Sequence, residues 1–158
     1  MPKISLKRLY HIDASSINKL QRLACMDGSR RTKIEAFSAY IWKVMVQAID
    51  ESHPKCKMGW PGLMLSKVVL GRAGPALVVS SGRRFPVAEL DFGFRSPALG
   101  TVCSTIQRIG VGYVNQRPSA RGDGSWTVSV IIWPELAAAL ESDSDRVFQP
   151  MTADHLQL

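Results

Sequence analysis

Gly110-Val111-Gly112-Tyr113-Val114-Asn115, the turn Arg121-Gly122-Asp123-Gly124, then Trp126-Thr127-Val128-Ser129-Val130-Ile131-Ile132 and Pro134 to Leu140 form the stretch that decides the fold. Two β-branched runs joined by a Gly-rich, Asp-Gly turn read as an antiparallel hairpin. Pro134 suits the first position of a helix, and Leu136, Ala139 and Leu140 give that helix an apolar side. Strand, turn, strand and helix in so short a span predict a mixed α/β domain with largely antiparallel strands.

Working outward, Ala76-Leu77-Val78-Val79-Ser80 is strand-like, and Thr101 to Ile106 is a further strand candidate. Upstream, Thr32-Lys33-Ile34-Glu35 is a capping-box pattern. Ile34, Phe37, Ile41, Val44, Met45 and Ala48 follow at helical spacing, so residues 33–49 are predicted helical, with Tyr40 and Trp42 widening the buried face. His53-Pro54 is expected to close that helix. Residues 14–25 read as a shorter amphipathic helix behind an Asp13 N-cap, ended by Asp27-Gly28-Ser29 and preceded by the extended segment Leu9 to Ile12. Residues 61–74 read as an irregular junction, and the tail from Asp143 has no clear period.

With 158 residues, 46% of them hydrophobic and 21% charged, the chain is expected to form one domain with a buried core, residues 1–158. The longest apolar runs, such as Val128 to Trp133, are strand-sized, which argues against a membrane span. Met1 to Ser5 has no apolar signal core, so a cytoplasmic location is expected. Cys25, Cys56 and Cys103 lack metal-ligand spacing and read as reduced, buried thiols; no metal is expected. The net charge of +7 favours anionic partners. The basic groups Arg30-Arg31-Lys33, Lys55-Lys57 and Arg83-Arg84 are scattered and not interleaved with aromatics, which argues against nucleic acid. Arg121-Gly122-Asp123 is an adhesion tripeptide in form, but Asp-Gly is ordinary hairpin chemistry and the reading is a turn.

Ser80-Ser81-Gly82-Arg83-Arg84-Phe85-Pro86-Val87-Ala88-Glu89-Leu90-Asp91-Phe92-Gly93-Phe94 carries the functional signal. Its Phe-Pro, four residues, then Asp-Phe-Gly-aromatic resembles the Asp-Phe-Gly-Trp-Gly block of the plant BAHD acyltransferases. The likeness continues in order through Leu9-Tyr10-His11-Ile12, through Glu35-Ala36-Phe37-Ser38-Ala39-Tyr40-Ile41-Trp42, and through Asp123 to Val130 and Pro134 to Leu140. Residues 9–60 are then similar to the family's crossover helices and 75–158 to its C-terminal domain. The resemblance implies one half of a two-domain, chloramphenicol-acetyltransferase-like fold. It also implies transfer of an acyl group from acyl-CoA to a small alcohol or amine, with acyl-CoA as co-substrate and no bound cofactor.

The resemblance also sets expectations for the site. The family's base is the His of a His-x-x-x-Asp motif, a role imidazole suits near neutral pH. Here His11 is followed four residues on by Ser15 and His53 by Lys57, and His155 has only three residues after it. No catalytic residue is therefore expected in this chain, and His11 reads as structural. Ser80 occupies the place of a hydroxyl that in some members helps hold the tetrahedral oxyanion. Its alternative is simply the end of a strand. Gly82 stands where a Trp is usual. Asp91, Phe92 and Gly93 are implied to be structural: the Asp would bind backbone N–H groups of a turn, and Phe92 and Phe94 would anchor it by burial. Phe94 and Arg95 replace the usual Trp and Gly, and a long stretch before residue 75 is missing relative to the family. The expectation is a shortened form, inactive alone. The alternative is a binding or regulatory module, acting through its basic surface or by association of its exposed inter-domain face with a full-length relative.

Overall fold

The computed structural model describes residues 5–52, 76–83, 89–91, 93, 94, 97–101 and 111–156. The elements run β1 (Leu6–Ile12), α1 (Ala14–Ala24), α2 (Lys33–Ser52), β2 (Ala76–Ser81), β3 (Val111–Pro118), β4 (Trp126–Ile132), α3 (Pro134–Ser142), β5 (Gln149–Pro150) and α4 (Ala153–Leu156). The expected strand at 102–106, the helix stop at His53-Pro54, the junction 61–74, Phe92, Cys56 and Cys103 lie outside the described residues.

The strands form one sheet in the order β2-β3-β4-β1-β5. Every pairing is antiparallel except β2 with β3, which is parallel with Ser80 opposite Asn115. A parallel neighbour needs a crossover, and residues 82–110 supply it. The hairpin between β3 and β4 closes as its turn chemistry requires. Ser119 N–H donates to the Ser125 carbonyl at 2.9 Å, and Gly122 and Gly124 take positive φ of 68° and 83°. Arg121 Nε lies 3.2 Å from Asp123, whose carboxylate also accepts from the Ser125 hydroxyl and backbone. Those hydrogen bonds from Ser125 hold the Asp123 carboxyl below its usual range. The two charged ends of the adhesion-like tripeptide are thus spent on the turn itself.

Strand alternation separates the two sheet faces. Tyr10, Ile12, Leu77, Val114, Val128, Val130 and Ile132 belong to one buried cluster with Ile17 and Leu20 of α1, Phe37, Ile41, Val44 and Met45 of α2, and Leu136 and Leu140 of α3. The helices therefore cover this face. The capping box forms: Thr32 N–H donates to Glu35 at 2.7 Å and Glu35 N–H to the Thr32 hydroxyl at 3.3 Å. Trp42 departs from expectation. It is 37% exposed, whereas Tyr40 is buried with its phenol donating to Asp143 at 2.5 Å. Tyr40 reaches Asp143 at the end of α3, and Trp42, two positions on and about 200° round the helix, falls on the side away from the buried cluster.

Asp13 takes the N-cap position of α1 as expected, but its side chain makes no capping hydrogen bond. Its carboxylate is taken instead by His11 Nε2 at 3.1 Å and by Gln149 Nε2 at 2.6 Å. Buried partners win over an exposed helix end that water can satisfy. The unpatterned tail is packed: Val147 and Phe148 are buried, and Gln149 and Pro150 pair with His11 and Tyr10.

Candidate functional site

The face of the sheet opposite α1, α2 and α3 carries the candidate site. Register places Ser80, Asn115 and Ser129 in one row across β2, β3 and β4, and Arg117, Thr127 and His11 in the next. Tyr113, Asn115 and Arg117 alternate along β3 with the apolar-face residues Gly112, Val114 and Gln116, so all three side chains emerge on this polar face.

A chain of hydrogen bonds links them. Arg117 Nε donates to Asn115 Oδ1 at 3.2 Å, Asn115 Nδ2 donates to Ser80 Oγ at 2.7 Å, and Ser80 Oγ lies 2.7 Å from the Tyr113 phenol oxygen. Asn115 is buried, while Ser80 and Tyr113 are half-buried and reach the surface. Next to Ser80, Ser81 Oγ donates to Gln116 Oε1 at 3.0 Å and Gly82 N–H to the Gln116 carbonyl at 2.7 Å, pinning the strand end.

Gly82 has a physical account here. A Cβ at this position would stand 2.6 Å from Arg117 Cγ and 2.8 Å from Arg117 Nε. The bare backbone lets the Arg117 side chain lie across β2 and reach Asn115. Replacing Gly82 by Trp is expected to expel Arg117 from Asn115 and to cost about 1–3 kcal/mol as overpacking. Thermal unfolding reads this directly; an unchanged midpoint would show that Arg117 moves aside freely.

The other predicted positions lie apart in role. Asp91 Oδ1 accepts from Gly93 N–H at 2.8 Å, and Gly93 has φ of 82°, a conformation that favours glycine. Phe94 does not anchor that turn by burial: it is 84% exposed. The turn is held by the Asx bond and the glycine, which need no buried ring. His11 is buried, bonded to Asp13 and stacked on His155 with ring centroids 4.4 Å apart. His155 Nδ1 meets the Thr152 hydroxyl at 2.8 Å. His53 lies outside the described residues. Among the described residues no cluster of three or more His, Cys, Asp or Glu could hold a metal, and no helix is long and apolar enough to cross a membrane.

Sequence reasoning named Ser80 as a candidate and did not single out Tyr113, Asn115 and Arg117, which the structure joins to it. Their signal was the alternation of polar residues along β3, which acquires meaning only once the parallel register sets Asn115 beside Ser80.

The fold is a mixed α/β domain whose sheet has α1, α2 and α3 on one face and a hydrogen-bonded hydroxyl cluster on the other. A family model described as Transferase family, the BAHD acyltransferase domain, matches residues 47–146, a span that includes Ser80, Tyr113, Asn115 and Arg117. The chain belongs to this family. No curated protein and no solved structure matches it.

Proposed function

We propose that this chain contributes the oxygen-binding side of an acyl-CoA-dependent acyltransferase acting on a small alcohol or amine, and that the proton acceptor comes from outside these residues. The observation that carries the reading is the Ser80 hydroxyl, half-buried on the open sheet face and held by Asn115 and Tyr113. In acyl transfer the acceptor's oxygen or nitrogen attacks the thioester carbonyl carbon. The C–O double bond becomes a single bond bearing negative charge, then re-forms as the C–S bond breaks and coenzyme A leaves as its thiol. A fixed hydroxyl donor aimed at the developing oxyanion lowers that barrier, and one such donor is worth about 3–4 kcal/mol where it has been removed from other enzymes. Acyl-CoA is substrate here, and the chemistry asks for no resident cofactor.

The attacking group must lose a proton, and no histidine of this chain has an Asp four residues on. The one buried histidine described, His11, is committed to Asp13 and His155. Among the described residues neither His11 nor His155 is bonded to Ser80 or its partners. In this reading the base is supplied by a partner domain.

Titration calorimetry with acetyl-coenzyme A and free coenzyme A tests the reading. Acetyl-coenzyme A is expected to bind more tightly, and Ser80→Ala is expected to remove about tenfold of its affinity while leaving free coenzyme A unchanged. Equal affinities for the two, with an equal response to single-stranded RNA, would favour a general anion-binding module instead.

A further inference from the structure

The polarity of the hydrogen-bond chain fixes what Ser80 can recognise. Guanidinium groups only donate, so the Asn115 oxygen must face Arg117 and its NH₂ must face Ser80. That occupies one of the two lone pairs on Ser80 Oγ. The second neighbour is the Tyr113 phenol at 2.7 Å. A phenol O–H is a stronger donor than an alkanol O–H, and its oxygen is the poorer acceptor because a lone pair is delocalised into the ring. The phenol is therefore the donor of the pair, and the second lone pair of Ser80 is filled.

We infer that Tyr113 and Asn115 together convert Ser80 from a hydroxyl of either polarity into a dedicated hydrogen-bond donor, with Tyr113 as the positioning residue that sets its strength. The inference rests on the acyl-CoA reading and deepens it. With both lone pairs engaged, the Ser80 O–H has one remaining use: donation to an oxygen acceptor. The site takes a carbonyl or oxyanion oxygen and disfavours a ligand that offers an O–H or N–H at the same place. Two donors arriving at Oγ also polarise its O–H, so the outgoing bond is stronger than that of a lone serine. Arg117 extends the chain one step further by orienting Asn115.

The same accounting removes an alternative role. A nucleophilic serine needs an unengaged lone pair and a base to take its proton. Ser80 has neither among its hydrogen-bond partners, which are an amide and a phenol. With these partners among the described residues an acyl-serine intermediate is disfavoured, and acetyl-coenzyme A is expected to leave the mass of the chain unchanged.

Infrared difference spectroscopy of carbonyl-labelled acetyl-coenzyme A bound to the full chain is the test. The thioester carbonyl band is expected to move to lower frequency on binding. The shift should vanish in Ser80→Ala and shrink in Tyr113→Phe. A second preparation guards against a misfolded variant: the chain made with fluorotyrosine keeps every hydroxyl but makes the phenols stronger donors. Its carbonyl shift is expected to exceed that of the unlabelled protein. The other two tyrosines, Tyr10 and Tyr40, donate to carboxylates away from Ser80 and serve as internal controls. A band that shifts equally with and without the Tyr113 hydroxyl, or a smaller shift with fluorotyrosine, overturns the inference and leaves the acyl-CoA reading standing. Binding with no band shift in the unmodified chain overturns the inference and the oxygen-binding role of Ser80 together. Absence of binding removes the acyl-CoA reading, and this inference with it.

Discussion

Truncating Phe148 to alanine is expected to cost the domain about 3–5 kcal/mol. The ring is only 2% exposed and stands where the tail meets β1 and α2. Its centroid is 5.2 Å from that of Tyr10 in an edge-to-face arrangement, and 5.8 Å and 6.2 Å from those of Phe37 and Tyr40 in near-parallel ones. Each is a preferred aromatic geometry, contributing beyond the area buried. Alanine would leave a void bordered by three rings, two of them pinned. Tyr10 and Tyr40 are tied by their phenols to Glu141 and Asp143, so they cannot collapse into the space. A cavity that does not relax is the expensive kind. Since whole domains are stable by about 5–15 kcal/mol, the variant should lie near the edge of folding. Urea titration checks this: the midpoint should fall sharply. A loss under about 1 kcal/mol would mean that the tail contributes little to the core.

Alkaline pH should unfold the domain steeply through the same two tyrosines. Tyr10 and Tyr40 are buried, and burial, followed by donation to Glu141 and to Asp143, drives both phenol pKa values well above the ordinary value of 10.0. In the unfolded chain the two phenols ionise near that ordinary value; in the folded chain they stay protonated. The unfolded state thus binds fewer protons once pH passes about 10. Stability is fully present below that pH and is lost as pH rises toward the folded values. Each tyrosine contributes a slope of about 1.4 kcal/mol per pH unit, so the pair gives about 2.7. Denaturant titrations at successive pH values above 10 measure the slope. Tyr40→Phe should roughly halve it, and a flat profile would show that the phenols are not held neutral.

Most of the framework was legible in the sequence because local chemistry and tertiary structure agree there. The Thr32–Glu35 box, the Pro134 helix start and the Asp-Gly hairpin all specify their own hydrogen bonds within a few residues. Where side chains choose distant partners, the reading failed. Asp13 looked like a cap, but Gln149, far along the chain, claims its carboxylate. Val147 and Phe148 had no periodicity to reveal them, since two buried residues ahead of a two-residue strand are too few to set a period. Phe94 looked like an anchor because aromatic residues usually are, yet an Asx-turn needs only Asp91 and Gly93.

The site divides along the same line. Ser80 was found through its place beside Gly82 and the Asp91-Phe92-Gly93 block. Tyr113, Asn115 and Arg117 are joined to it only by the parallel register of β2 and β3, formed across the crossover of residues 82–110. A parallel pairing leaves no turn signature to read. Gly82 shows the reverse: what reads in sequence as the loss of an expected Trp becomes, in the structure, the opening through which Arg117 reaches Asn115.

The central proposal is that Ser80 serves as an oxygen-binding donor and that the base comes from a partner domain. Release of coenzyme A from acetyl-coenzyme A, followed with the purified chain and a panel of small alcohols and amines, tests it most directly. The expected rate equals that of buffer for every acceptor. Sustained release by the chain alone, abolished in Ser80→Ala, would contradict the account, because it would require a proton acceptor within these residues.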